Sequence, residues 1–101
     1  MVAMLFPLLA ALAAVPAPVQ EQAKAHFDMQ LFDGQSARWR FEGQVPETEL
    51  VCGYVNAKNR LGAYTGFQPF YFNPKDGTGR IFGPDEDPWL FRLVCLGEAP
   101  S

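Results

Sequence analysis

Two cysteines, Cys52 and Cys95, stand 43 positions apart in a chain of 101 residues, and nothing else in the sequence narrows the fold as much. Each lies in an apolar run with strand character, LVCGYVN at 50–56 and LFRLVCL at 90–96. A domain of this size buries only part of the surface its chain exposes, so a covalent staple is often needed. An even cysteine count in a secreted chain reads as a disulfide. Closing a loop of that length is worth roughly 4 kcal/mol in the chain-entropy account. Two buried free thiols are the alternative.

The case for secretion rests on the first stretch, MVAMLFPLLAALAAVPA, which carries no charge. An apolar run of about 10–14 residues is too short to span a bilayer, which takes about 20. It fits the hydrophobic part of a signal peptide followed by small residues, although no Lys or Arg precedes Lys24 to make a positive start. Ala11-Leu12-Ala13 and Val15-Pro16-Ala17 are the candidate cleavage points, and the second leaves Pro18 directly after the cut, a poor context. A buried N-terminal helix is the alternative, with Pro7 against it. The chain is thus read as a signal peptide at 1–17 and a single domain at 18–101, periplasmic or secreted. A net charge of −3 and a pI near 4.9 leave no basic stripe for phosphates, so nucleic acid is excluded as a partner. The same balance gives little attraction to anionic lipid, and no stable membrane insertion is expected once the leader is removed.

Along the domain, Pro18 suits the first turn of a helix. Val19, Ala23, Phe27 and Leu31 recur every fourth residue, and Ala25, Met29 and Phe32 make a second stripe, so a helix is predicted over 19–32. Asp33-Gly34 stops it. Ser36 to Phe41 alternates, with Ala37, Trp39 and Phe41 on one face and Ser36, Arg38 and Arg40 on the other. In the next strand, 50–56, Leu50, Cys52 and Tyr54 oppose Val51, Gly53 and Val55, and Gly53 implies a bulge or a close backbone approach. A loop at 57–66 leads to a returning strand at 67–73. Asn73-Pro-Lys-Asp-Gly is a turn. Arg80-Ile81-Phe82 is a short strand at best, GPDEDP at 83–88 is an acidic turn, and 90–96 is predicted as the closing strand. The fold expected is α+β: one N-terminal helix packed on a small antiparallel sheet of four or five strands, with one disulfide. Every aromatic residue but Phe6 falls in the domain, which suits a core layer better than a ligand box.

Motifs for chemistry are sparse. His26 is the only histidine and lies in the predicted helix, while both cysteines are better used on each other, so no Cys–His pair is indicated. Ser36 lacks the Gly-x-Ser-x-Gly setting of a nucleophile elbow. Asp85-Glu86-Asp87 points three acids in different directions and reads as a solvated turn; neither a metal site nor a cofactor is expected. Gly77-Thr78-Gly79 lacks the spacing of a phosphate loop. The segment most suited to recognition is the loop running from Asn56 to Tyr64. Asn56 and Asn59 suit loop geometry by bonding nearby backbone, Lys58 and Arg60 supply donors for a carboxylate or phosphate, and Tyr64 and Phe67 flank it. The competing reading is a self-bonded loop that only fixes the hairpin.

Cys52-Gly-Tyr-Val-Asn-Ala-Lys-Asn59, followed by Gly62-Ala-Tyr-Thr-Gly-Phe67 and Phe70, resembles a family of small exported bacterial proteins of uncharacterised function. That family carries Cys-Gly-x-Val-Asn-Ala-Lys-Asn, then Gly-Gly-Tyr-x-Gly-Phe and a further Phe. Asp33-Gly-Gln-Ser-Ala37 and Trp39 match its upstream Asp-Pro-x-Ser-Ala and aromatic element, with Gly34 in place of proline and Ala63 in place of the second glycine. The likeness covers residues 19–72. It implies export and a single domain, and it carries over no catalytic residues. The function expected is a small exported binding or interaction module for a protein or envelope component, using Asn56, Lys58, Asn59, Arg60 and Tyr64. A small hydrolase-like envelope enzyme lacks a recognisable acid–base pair, and a structural envelope subunit would act by assembly.

Overall fold

The structure, a computed structural model, describes residues 12–97. Most of the predicted leader, residues 1–11, and the tail at 98–101 lie outside the described residues. The order is helix α1 (Ala17–Asp28), a 3-10 turn (Gly34–Ser36), strands β1 (Arg38–Gln44), β2 (Val51–Asn56), β3 (Gln68–Asn73) and β4 (Thr78–Ile81), and helix α2 (Trp89–Leu96). The four strands form an antiparallel meander in the order β1-β2-β3-β4. The arrangement is α+β, with one helix on each face of the sheet and a bond between Cys52 and Cys95.

Helix α1 begins where Pro16 ends the extended segment. The Pro16 carbonyl accepts from Val19 and Gln20 N–H, and a proline in the first turn loses no intrahelical bond. The helix lays Ala23 and Phe27 on the sheet, with Val19 and Leu31 packed beside them. The helix stops at Asp28, short of the predicted end, because the second stripe finds no partner: Met29 and Phe32 are exposed. Asp33, at φ 55°, makes the left-handed step that reverses the chain.

Beneath α1 lies an aromatic layer. Trp39 and Phe41 stack at 5.7 Å, the Phe70 ring stands perpendicular to both at 5.3 and 5.7 Å, and Phe27 meets Phe70 at 5.5 Å. Edge-to-face pairs of this kind add about 0.5–1.5 kcal/mol each beyond the area they bury. The alternation read from the sequence holds in β2: Val51 and Val55 join this layer, while Cys52 and Tyr54 face the other way. Gly53 lies where two elements close on β2, since a methyl there would collide with the Arg40 carbonyl and press on the Phe70 ring. The bulge sits on the neighbouring strand, between Phe41 and Gly43, and lets β1 run on to Gln44.

The predicted closing strand at 90–96 is a helix instead. A short apolar run does not declare its period. The burial does: Phe91 and Cys95 point inward one helical turn apart, whereas Leu93, which a strand would have aligned with them, is exposed. Pro88 precedes the first turn, and Gly97 at φ 72° closes the helix by donating to the Arg92 carbonyl, a glycine cap that only a residue without Cβ takes cheaply. The disulfide therefore ties β2 to α2, not to a fifth strand. Cys52, Phe82, Phe91 and Cys95 form this second core.

Candidate functional site

The loop between β2 and β3 is held by its own polar groups. Asn56, buried at the end of β2, accepts the Gly66 N–H on Oδ1 at 2.9 Å. Asn59 Oδ1 accepts from Leu61 and Ala63 N–H at 2.9 and 3.1 Å, and Asn59 N–H donates to the Ala63 carbonyl. Thr65 closes the base through N–H and hydroxyl bonds to the Ala57 carbonyl, and Lys58 and Tyr64 pair as an isolated bridge. Short polar side chains thus take over the bonds that a ladder would have supplied.

Of the five residues singled out in the sequence, Asn56 and Asn59 are therefore scaffold. Arg60 is exposed on that scaffold together with Leu61, which is 92% exposed at the tip, while Lys58 and Tyr64 are half-buried. The Tyr64 hydroxyl donates to the Ser36 carbonyl at 2.9 Å, which pins the ring against the entrance to β1. Lys58 Nζ lies 5.5 Å from the centre of that ring, and the Arg60 guanidinium lies 5.9 Å from the Phe32 ring.

The structure adds residues to which no sequence motif pointed. Arg38 lies over the Tyr64 ring at 4.0 Å. Arg40 lies between Tyr54 and Phe67, 4.9 and 4.8 Å from their ring centres, and its Nε donates to Glu42 at 3.2 Å. Both arginines had shown as the polar face of an alternating strand. The sequence could not show that the loop folds back to meet them. Helix α2 covers the other part of this sheet face, with Tyr54 touching Phe91 at 5.4 Å, so the cations and rings occupy the part it leaves open.

Acids lie elsewhere. In the 83–88 turn Glu86 accepts from Gly83 N–H and from Arg80, both at 2.5 Å, and Asp87 accepts from Arg92 at 2.9 Å. The Gly83 N–H first, and Arg80 second, hold the Glu86 carboxyl below its ordinary value of 4.5. Asp76 is held low by the Thr78 hydroxyl and N–H. A groove of about 560 Å³ lies between α1 and the 3-10 turn, with Lys24, Asp28, Gln35 and Trp39 among its walls, and none of the five loop residues lines it. Both sulfurs are bonded to each other, so neither serves as a nucleophile in this state. Among the described residues there is no cluster of three or more His, Cys, Asp or Glu side chains arranged to hold a metal ion, and no helix is long and apolar enough to cross a membrane. No family model, curated protein or solved structure matches the chain.

Proposed function

We propose that the chain is a small exported binding module, periplasmic or secreted, which recognises a partner protein or envelope component through the face that the 56–64 loop shares with β1. The observation that carries this reading is a division of labour within one loop. The side-chain oxygens of its asparagines are taken up by backbone bonds, while Arg60 and Leu61 stand exposed on the resulting frame and Lys58 lies half-buried beside Tyr64. A loop whose polar side chains already fix its shape loses little conformational freedom on binding.

Export is supported by the charge-free leader, by the likeness to small exported proteins, and by a disulfide, which persists in oxidising compartments. Of the two candidate cleavage points, the one after Ala13 leaves more of the packed domain intact, at the loss of the two backbone bonds that Ala13 exchanges with Gln44 on the edge of β1. Val15 is buried against α1 and the sheet, its carbonyl accepts from Gln20, and the Pro16 carbonyl receives the first helical bonds. Mass spectrometry of the exported chain should find an N-terminus at Ala14; one at Pro18 would reject this point.

The recognition face is tested by capture from envelope extract with the intact protein and with Lys58→Ala/Arg60→Ala. The double variant should keep its melting temperature and lose the captured partner. Identical capture by both forms rejects the loop as the recognition face.

A role by assembly has one observation in its favour. Helix α2 is apolar nearly all round, and Trp89, Leu93 and Leu96 expose a stripe along it. Sedimentation over a range of concentrations separates this from the binding reading, since a self-assembling subunit gains mass as it is concentrated.

A further inference from the structure

We propose that Arg38 and Lys58, gathered on the ring of Tyr64, form a carboxylate-binding site for an acidic, extended segment of a partner protein. This rests on the reading of the loop as the recognition face and gives it a ligand chemistry.

The two cations share one ring, Arg38 at 4.0 Å and Lys58 at 5.5 Å from its centre. Among the described residues neither forms an ion pair, a trait they share with Arg60 and Lys75, whereas Lys24, Arg40, Arg80 and Arg92 each meet a carboxylate; what sets Arg38 and Lys58 apart is the ring they share. Two cations held against one ring with no carboxylate partner leave positive charge there, and a carboxylate that reaches either of them neutralises part of it. The ring is held by its bond to the Ser36 carbonyl, so the surface against which both cations lie is in place before any ligand arrives. A guanidinium lying over an aromatic ring keeps its N–H edge free for a two-pronged carboxylate contact.

The neighbouring geometry selects a peptide over a lone anion. Arg40 follows Arg38 by two positions on the same face of β1, a step of about 7 Å along a strand. It is aligned by Tyr54 and Phe67, and its exposed partner Glu42 is replaceable by a ligand carboxylate. Strand β1 is also an edge of the sheet, and among the described residues only Ala13 pairs with its outer side, at Gln44. An extended segment added there places alternate side chains at the spacing of Arg38 and Arg40, which is the geometry of strand addition. A long polyanion suits the molecule less well, because the chain as a whole carries a charge of −3 and repels it beyond the patch.

The test is a calorimetric titration of the full chain with a blocked peptide carrying glutamate at alternate positions, and with its glutamine counterpart. The glutamate peptide should bind, and the glutamine peptide should bind about tenfold more weakly or worse, the loss expected for a charge-assisted contact. Arg38→Gln and Lys58→Gln should each weaken the glutamate peptide about tenfold with unchanged melting curves, and added salt should weaken it further. A peptide with proline between the glutamates should bind less, having lost the backbone donors that pair with β1. Equal binding of the glutamate and glutamine peptides, or indifference to both substitutions, overturns the site. Equal binding of the proline peptide overturns strand addition. Inorganic phosphate or phosphatidylglycerol vesicles binding through Arg38 and Lys58 as tightly as the peptide overturns the peptide as ligand. If both substitutions leave the peptide unaffected while Lys58→Ala/Arg60→Ala still abolishes envelope capture, this site is wrong and the recognition face stands. If that capture is unchanged, the recognition face itself is wrong.

Discussion

The two faces of the sheet are held by different means. On the α1 face a helix of 12 residues drives Phe27 into a layer of Trp39, Phe41, Phe70 and Phe72, and no covalent bond crosses the contact. On the other face α2 has eight residues, below the length at which a helix stands alone in water (about 12–15), and a disulfide fastens it to β2. The first face is closed by packing. The second is closed only where α2 reaches, with Tyr54 at the border against Phe91, and Arg38, Arg40, Tyr64 and Phe67 occupy the rest. The molecule thus concentrates hydrophobic closure on one side, which lets a short stapled helix leave polar and aromatic groups displayed on the other.

Breaking the packed side should cost the most. Phe27→Ala removes a fully buried ring that touches four others, and chemical denaturation should show a loss of about 3–5 kcal/mol. A loss under 1 kcal/mol would mean that the layer is not the main core. On the stapled side, Cys52→Ser should cost about 2–5 kcal/mol. Its effect should also be local, with amide exchange accelerated in Trp89–Leu96 far more than in Ala17–Asp28. Equal acceleration in both helices would abolish the distinction between the faces.

The packed side also has one flaw to repair. His26 Nε2 is buried without a hydrogen-bond partner among the described residues, while its ring lies 5.2 Å from Phe72. His26→Phe keeps the ring contact and removes the orphaned nitrogen, so stability should rise by about 1 kcal/mol. A fall would show that the nitrogen is satisfied by solvent.

The smallest effect is expected in the 83–88 turn that leads into α2. Because Glu86 has a lowered folded-state pKa, its contribution is present above the ordinary value of 4.5 and is lost as pH falls through the lowered one. An NMR titration should find Glu86 ionising at lower pH than in Glu86's unfolded-chain setting, and Arg80→Gln should raise its midpoint toward the ordinary value. An unchanged midpoint in that variant would assign the whole shift to the Gly83 N–H.

Much of this architecture was legible in the residues. The alternation assigned faces correctly over 38–41 and 50–56, because a strand's side chains alternate whatever they pack against, although Ser36 belongs to the 3-10 turn and the strand starts only at Arg38. The four-residue spacing of Val19, Ala23 and Phe27 marked the packed stripe of α1 for the same kind of reason, and Leu31 packs on the same core just past the helix end. The run at 90–96 was misread because it is apolar almost throughout, and such a run carries no period. Its identity depended on the Pro88 and Gly97 boundaries and on where Cys52 waited in the folded sheet. The site divides likewise. Asn56, Asn59 and Lys58 were visible as loop-forming and cationic residues, but Arg38 and Arg40 were not visible as their neighbours.

Taken alone, the sequence determined local matters: periodicities, turns, the one possible disulfide, and a loop rich in backbone-bonding side chains. These follow from rules that act over a few residues. Only the tertiary structure decided that the chain's end is a helix, that the loop asparagines are spent on the loop itself, and that cations from β1 and the loop meet on one tyrosine. Those outcomes depend on contacts between residues distant in the chain, as Tyr64 and Ser36 are, and no local pattern encodes them.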